Sequence, residues 1–391
     1  MSSLSTAEPL AVQSTATQPP GTEKQRLISL DVFRGITIAA MILVNDPGSW
    51  STVYPPLLHA EWNGWTPTDL VFPFFLFIVG VAMEFSFASR RLASPGTSSH
   101  KSLMLHVLYR AAIIFALGLF LHIFPFYPWH RIRIMGVLQR IGVCYLFAAF
   151  ISLKTGSKTR MAAVAALLFG YWALMTLVPV PGFGAGRLDQ DGNLAAYLDR
   201  AIMGGHLWKP TWDPEGLLST LPAIATVLLG GFAGQWLRSS ASKLGKVLGL
   251  LVAGAAGLAL GELWGHWFPI NKDLWTSSYV VFTAGFACVL LAVCYWLIEI
   301  RQWKRWAFPF VVFGKNAIAA FVFSVLLAKI LLIWKMNADG KRISLWTYIY
   351  QHVFAPLANP RMSSLLFALT FVLVCWLAML ALYRRKIFFK V

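Results

Sequence analysis

Charge is what this sequence has least of. Only 13% of its 391 residues are Asp, Glu, Lys or Arg, about half the share of a soluble domain, which excludes an ordinary water-exposed surface. Carboxylates are the scarcer sign, 16 against 33 Lys and Arg, leaving a net charge of +17. Cysteine is nearly absent. Cys144, Cys288, Cys294 and Cys375 all lie in apolar stretches without metal-ligand spacing or a pairing pattern, so they read as small buried hydrophobes. There is no Walker loop, no dinucleotide glycine fingerprint and no His-x-x-x-His pair, so no metal is expected. No internal repeat or separate soluble domain is evident.

What is present is apolar and aromatic: 58% hydrophobic, with 17 Trp and 29 Phe. The composition is that of an all-α, polytopic membrane helical bundle. Apolar spans fall at 29–46, 69–89, 102–123, 134–153, 161–178, 217–237, 247–264, 276–298, 307–333 and 364–383, each with roughly the 17–25 residues needed to cross the hydrocarbon. That makes ten helices. The stretch 343–357 is apolar but short and ends on a proline; it is either an interfacial helix or an eleventh, re-entrant element. Lys and Arg gather in alternate short loops, while the first outer loop, 47–68, has none. This is the positive-inside pattern of an N-in/C-in bundle rather than a nucleic-acid surface, so no nucleic acid is expected as partner. Residues 1–25, rich in Ser, Thr, Pro and Gln, read as a disordered cytoplasmic tail without the order of a signal peptide. Residues 26–391 form the transmembrane domain. The glycine-rich helix stretch that holds Gly249 and Gly254 packs either within the bundle or against a second copy in a homodimer.

Polar residues inside the apolar spans carry the functional reading. Asp31, Arg34 and Asn45 lie within about 60° of arc on the first helix. Such a stripe must face protein or a water-filled cavity, not lipid. Asp31 and Arg34 are three residues apart and can pair; Arg34 can instead meet a phosphate. Glu84 and Arg110 fall at similar depth in the inner half of adjacent spans and are expected to form a structural ion pair. Arg140, Lys315 and Asn316 also line the interior, either bracing helices or holding a ligand. The cations outnumber the interior carboxylates, which suits a polyanion.

The outer loops supply the chemistry. His59 can take and return a proton or attack a carbonyl, and a carboxylate such as Glu61 or Asp69 can hold its tautomer. A plain interfacial histidine is the competing reading. Asn45 and Asn63 can donate to an oxyanion, or simply pack and turn the chain. Trp62, Trp212, Asp213, Glu215, Asn271 and Lys272 converge on the same outer face as candidate substrate-binding residues.

The run RLISLDVFRGITIAAMILVN followed by HAEWNGWTPTDLVFPFFLFIVG, with GVLQRIGVCYL, WDPEGLLSTLPAI, NKDLWTSSYV and GKNAI in order behind it, resembles the heparan-alpha-glucosaminide N-acetyltransferase family of transmembrane acyltransferases. The resemblance implies acyl transfer from acetyl-CoA, or a similar acyl-CoA, to a sugar or glycan acceptor across the membrane. It implies that His59 is catalytic and that Asn45 takes part; Asn63 and Asp69 join them as catalytic candidates on their own chemistry. The interior candidates Arg34, Arg110, Arg140, Lys315 and Asn316 would hold the CoA. A bacterial inner-membrane enzyme acting on an envelope glycan fits this chain, whose partners would then be membrane lipid, acyl-CoA and a sugar. A transporter or flippase of a sugar or lipid-linked sugar is the alternative, because interior charges suit substrate paths equally well.

Overall fold

The structure is a computed structural model describing residues 27–93, 98–126, 130, 132–338 and 340–389. The tail expected to be disordered lies outside the described residues. The chain forms α1 (Ile28–Asn45), α2 (Val71–Ala93), α3 (Ser98–Ile123), α4 (Val137–Lys154), α5 (Ser157–Leu177), α6 (Leu194–Met203), α7 (Thr220–Arg238), α8 (Lys243–Gly265) and α9 (Ser277–Tyr295). It continues through α10 (Phe308–Lys315), α11 (Ala317–Ile333), a hairpin of β1 (Lys335–Ala338) and β2 (Lys341–Ser344), α12 (Leu345–Ile349) and α13 (Pro360–Arg384).

Among the described residues, nine helices are each long and apolar enough to cross a membrane, and α10 with α11, bent by 85° at their junction, meets the same length and composition only as a pair. The span expected as one helix at 307–333 is therefore two. It breaks at Asn316, whose backbone leaves the helical region (φ −126°, ψ 38°). The 343–357 stretch does not cross. It holds the five residues of α12 and a π-helical turn, Tyr350–Phe354, about half the length a crossing needs. It lies against the end of α13, with Trp346 on Phe367 and Phe371. Between the apolar spans expected at 161–178 and 217–237 the chain also forms α6, which hydropathy does not show. That helix is too short for a hydropathy window but is capped, Asn193 Oδ1 accepting from Ala196 N at 2.8 Å.

Burial sorts the helices. α1, α2, α4, α7 and α9 are mostly enclosed, whereas α3, α5, α8 and α13 turn most of their apolar surface outward, where lipid can cover it. Two close approaches set the interior. A Cβ on Gly35 would overlap the Phe310 carbonyl, and one on Gly314 would overlap that of Asp31. α1 and α10 can therefore lie backbone to backbone, which brings Arg34 beside Lys315. Gly249 and Gly254 of α8 both pack within the chain, on different sides of the helix: Gly254 lies on α9 at Gly285, and Gly249 on Trp236 of α7. Arg34 near the start of α1 and Phe388 beyond α13 line the same cavity. Both ends of the described chain thus lie at one end of the bundle, which requires an even number of crossings.

Candidate functional site

The loop after α1 is built around one carboxylate. Asp69, 1% exposed, precedes α2, and its Oδ1 lies 2.6 Å from His59 Nδ1. Its Oδ2 accepts from Ala60 N at 3.0 Å and Thr66 N at 2.9 Å, while the Thr66 hydroxyl donates to the Leu58 carbonyl at 2.6 Å. Tyr279 Oη, from α9, donates to the Asp69 carbonyl at 2.5 Å. An ionised carboxylate, its Oδ2 already taken by two backbone N–H donors, accepts from the imidazole, so Nδ1 carries the proton and Nε2 keeps its lone pair on the side of Lys272. The His59 ring is 45% exposed and lines a cavity of about 1030 Å³ at the loop end of the bundle. Lys272 Nζ lies 3.3 Å from Nδ1 and 3.5 Å from Nε2. It also pairs at 3.8 Å with Asp273, whose carboxyl burial pushes above its usual range.

This outer cavity gathers Asn45, His59, Glu61, Trp212, Glu215 and Lys272. Asn45 is exposed and lines the wall where α1 ends. Other candidates act behind the wall. Asn63 Oδ1 accepts from Asn271 Nδ2 at 3.1 Å. The buried Asn271 in turn accepts from Leu274 N at 2.8 Å, so the two amides lock the 58–66 loop to the 270–276 loop. Trp62 donates to the Leu188 carbonyl at 2.8 Å and meets Trp212 edge to face.

Asp213 and Glu215 converge on Arg133, which lies just before the apolar span that begins at 134. Arg133 Nε donates to Asp213 Oδ2 at 2.9 Å, Nη2 donates to Asp213 Oδ1 at 2.5 Å, and Nη2 also contacts Glu215. The guanidinium lies over Trp208 at 5.1 Å. The pairing holds the Glu215 carboxyl below its usual range and raises Arg133 further. A cation just before a span, facing a WDPE run, was the available signal. Asp213 is therefore a brace, while Glu215 and Trp212 reach the cavity.

A second cavity, about 350 Å³, lies at the opposite end of the bundle and is lined by Arg34, Arg90, His106, Arg110 and Lys315. Among the described residues, no Asp or Glu lines it. Arg34 Nη1 donates to the Gly314 carbonyl at 3.1 Å and pairs with Asp31 at 3.3 Å, the pairing expected from their spacing. Arg110 lies over Tyr145 at 5.2 Å.

Three sequence expectations are corrected here. Glu84 pairs with Arg160 at 2.5 Å, not with Arg110, because hydropathy gives a residue's depth but not the direction it faces around the helix. Arg140, expected to hold the CoA, is fully buried and donates to the Gly216 carbonyl at 3.0 Å and to Ser219, with its guanidinium over Trp275. It braces the start of α7. Asn316 does not line the inner cavity; its amide bonds to backbone at Ile387 and Phe389.

Phe75, Leu138, Ile141 and Ile318 line both cavities. A basic hollow and a His–Asp hollow therefore stand back to back across one apolar wall.

A model of the family described as heparan-alpha-glucosaminide N-acetyltransferase, catalytic, matches residues 26–253, more than half of the chain. The chain is 30% identical over 356 residues to heparan-alpha-glucosaminide N-acetyltransferase of Homo sapiens, covering 76% of this chain and 52% of that protein. It is 29% identical over 383 residues to the Mus musculus protein of the same name, covering 82% and 56%. The chain thus spans about half the length of the curated relatives it matches.

Proposed function

The chain belongs to the heparan-alpha-glucosaminide N-acetyltransferase family, and from that premise we propose that it is a membrane-embedded acetyltransferase. It takes the acetyl group from acetyl-CoA and passes it to an amine or hydroxyl of a sugar, such as a glucosamine-containing glycan, on the other side of the membrane. The observation that carries this reading is the pair of cavities sharing the wall of Phe75, Leu138, Ile141 and Ile318. The donor's phosphates suit the acid-free hollow of Arg34, Arg90, Arg110 and Lys315, where charge-assisted bonds hold oxyanions. The acceptor suits the larger hollow, rimmed by Trp212, Glu61 and Asp273. The Arg34 end then faces the cytoplasm, and the site serves an inner membrane and its envelope glycans.

In this reading His59 Nε2 removes the proton from the acceptor nitrogen or oxygen as that atom bonds to the thioester carbonyl carbon. Asp69 holds the ring so that Nε2, not Nδ1, faces the reaction and balances the charge the imidazole gains. The carbonyl oxygen becomes an oxyanion; Lys272 Nζ, beside the ring, and the Asn45 amide are the donors for it. Collapse breaks the C–S bond, and the proton held on Nε2 goes to the departing sulfur. A transient acyl group on Nε2 uses the same lone pair.

The test is acetyl-CoA turnover by the purified protein with amino sugars and envelope glycans, wild type against His59→Ala. Acetyl transfer that is lost in the variant supports the reading. Full activity in the variant would remove His59 from the chemistry. Sugar flux into vesicles without acetyl-CoA consumption would replace the reading with a transporter.

A further inference from the structure

The inner cavity has a wall that no helix supplies. After α13 the chain turns back through Lys386, at φ 57°, and Phe388 and Phe389 line the cavity beside Arg34, Arg110 and Lys315. What holds that segment is Asn316. Its side chain is fully buried at the break between α10 and α11. Nδ2 donates to the Ile387 carbonyl at 3.1 Å, and Oδ1 accepts from Phe389 N at 3.1 Å. One amide thus grips the backbone on both sides of Phe388, much as a neighbouring strand would. A buried primary amide without partners is costly, and here the tail meets it on both its donor and its acceptor side.

The clamp also sets a charge. Lys315 Nζ lies 4.8 Å from the Tyr383 ring centroid and 5.5 Å from that of Phe388, and the two rings meet edge to face at 6.0 Å. The ammonium is therefore held between two aromatic rings on the cavity wall, by an attraction that strengthens as water is excluded. Removing the tail removes one of those rings and opens the wall.

We propose that Ile387–Phe389 is a built part of the donor site, clamped by Asn316 so that Phe388 and Phe389 face the adenine end of acetyl-CoA and Lys315 faces its phosphates. Asn316 is a positioning residue; it acts through the tail. The inference rests on the donor reading above and assigns the nucleotide end of that ligand.

The test measures binding of two probes to the full-length protein in detergent: acetyl-CoA, and acetyl-pantetheine, which lacks the nucleotide. Three proteins are compared: wild type, Asn316→Ala, and a double variant, Phe388→Ala with Phe389→Ala, in which the backbone clamp is left intact. In both variants the Kd for acetyl-CoA rises about tenfold, the scale of a desolvated cation–π contact. The Kd for acetyl-pantetheine stays within about twofold. Unchanged acetyl-CoA affinity in the double variant would overturn the inference, as would an equal loss for both probes, which marks a merely structural tail. Wild-type protein that binds neither probe would overturn the donor reading itself, and this inference with it.

Discussion

The two cavities are built on different principles. The outer one is assembled from loops, and its key group is fixed by partners at every step: His59 on Asp69, Asp69 on Ala60 and Thr66, Asn63 on Asn271. The inner one takes its cations from α1, α2, α3 and α10, and no carboxylate of the described residues lines its wall. A proton transfer needs one atom in one place, whereas a polyanion needs only a sufficient field. The outer site should therefore be brittle to single changes and the inner site forgiving.

His59→Ala should separate the two most sharply. Transfer should fall by about 10³-fold or more, with acetyl-CoA binding unchanged, as read by turnover and by direct binding on the same preparation. Next in size is Arg133→Met. It leaves Asp213 and Glu215 buried and unbalanced, and should cost about 3–5 kcal/mol, visible as a lowered Tm in detergent. An unchanged Tm would mean the outer loops are not held as described. Asp69→Asn should lower kcat about 10²-fold, because an amide can donate to Nδ1 and favour the wrong tautomer. It should leave the donor KM alone. Arg34→Gln and Arg110→Gln should each raise the donor KM about tenfold with kcat nearly constant, the cost of one charge-assisted contact among several. A loss of kcat as large as that of His59→Ala in either would erase the distinction between a precise and a forgiving end.

The smallest effect concerns pH. Burial pushes the Asp199 carboxyl up to about 7 and that of Asp46, just beyond α1, up to about 8. The folded protein therefore keeps protons that the unfolded chain has released. Their stabilising contribution is complete below the ordinary carboxylate range and is lost as pH rises through about 7 and then about 8. Tm should decline by a few degrees across that window, and Asp199→Asn should flatten the first part of the decline.

The same contrast explains what was legible in the sequence. Spans are local, so hydropathy located the nine long apolar helices and the stretch of the bent pair, and the polar stripe of α1 followed from helical periodicity. The Asp31–Arg34 pair lies within one turn and was equally visible. What escaped depends on how helices are turned about their axes. Glu84 has its partner on α5, far along the chain, and Arg140 faces the start of α7 rather than a cavity. The break at Asn316 escaped because its cause, the tail after α13, is remote in sequence. Arg133 escaped because a loop cation looks like topology until Asp213 and Glu215 are folded against it.

The apolar wall of Phe75, Leu138, Ile141 and Ile318 has an electrical meaning. When a wet hollow enters the bundle from each end, the membrane voltage falls mainly across whatever insulates one from the other, at about 2.3 kcal/mol per charge per 100 mV. A phosphate crossing that layer would do work against or with the field; an acetyl group, being neutral, does none. A donor that keeps its charges in the basic hollow and presents only its acyl end beyond the wall would make the reaction blind to voltage. Turnover in proteoliposomes should then be the same with and without an imposed potassium diffusion potential.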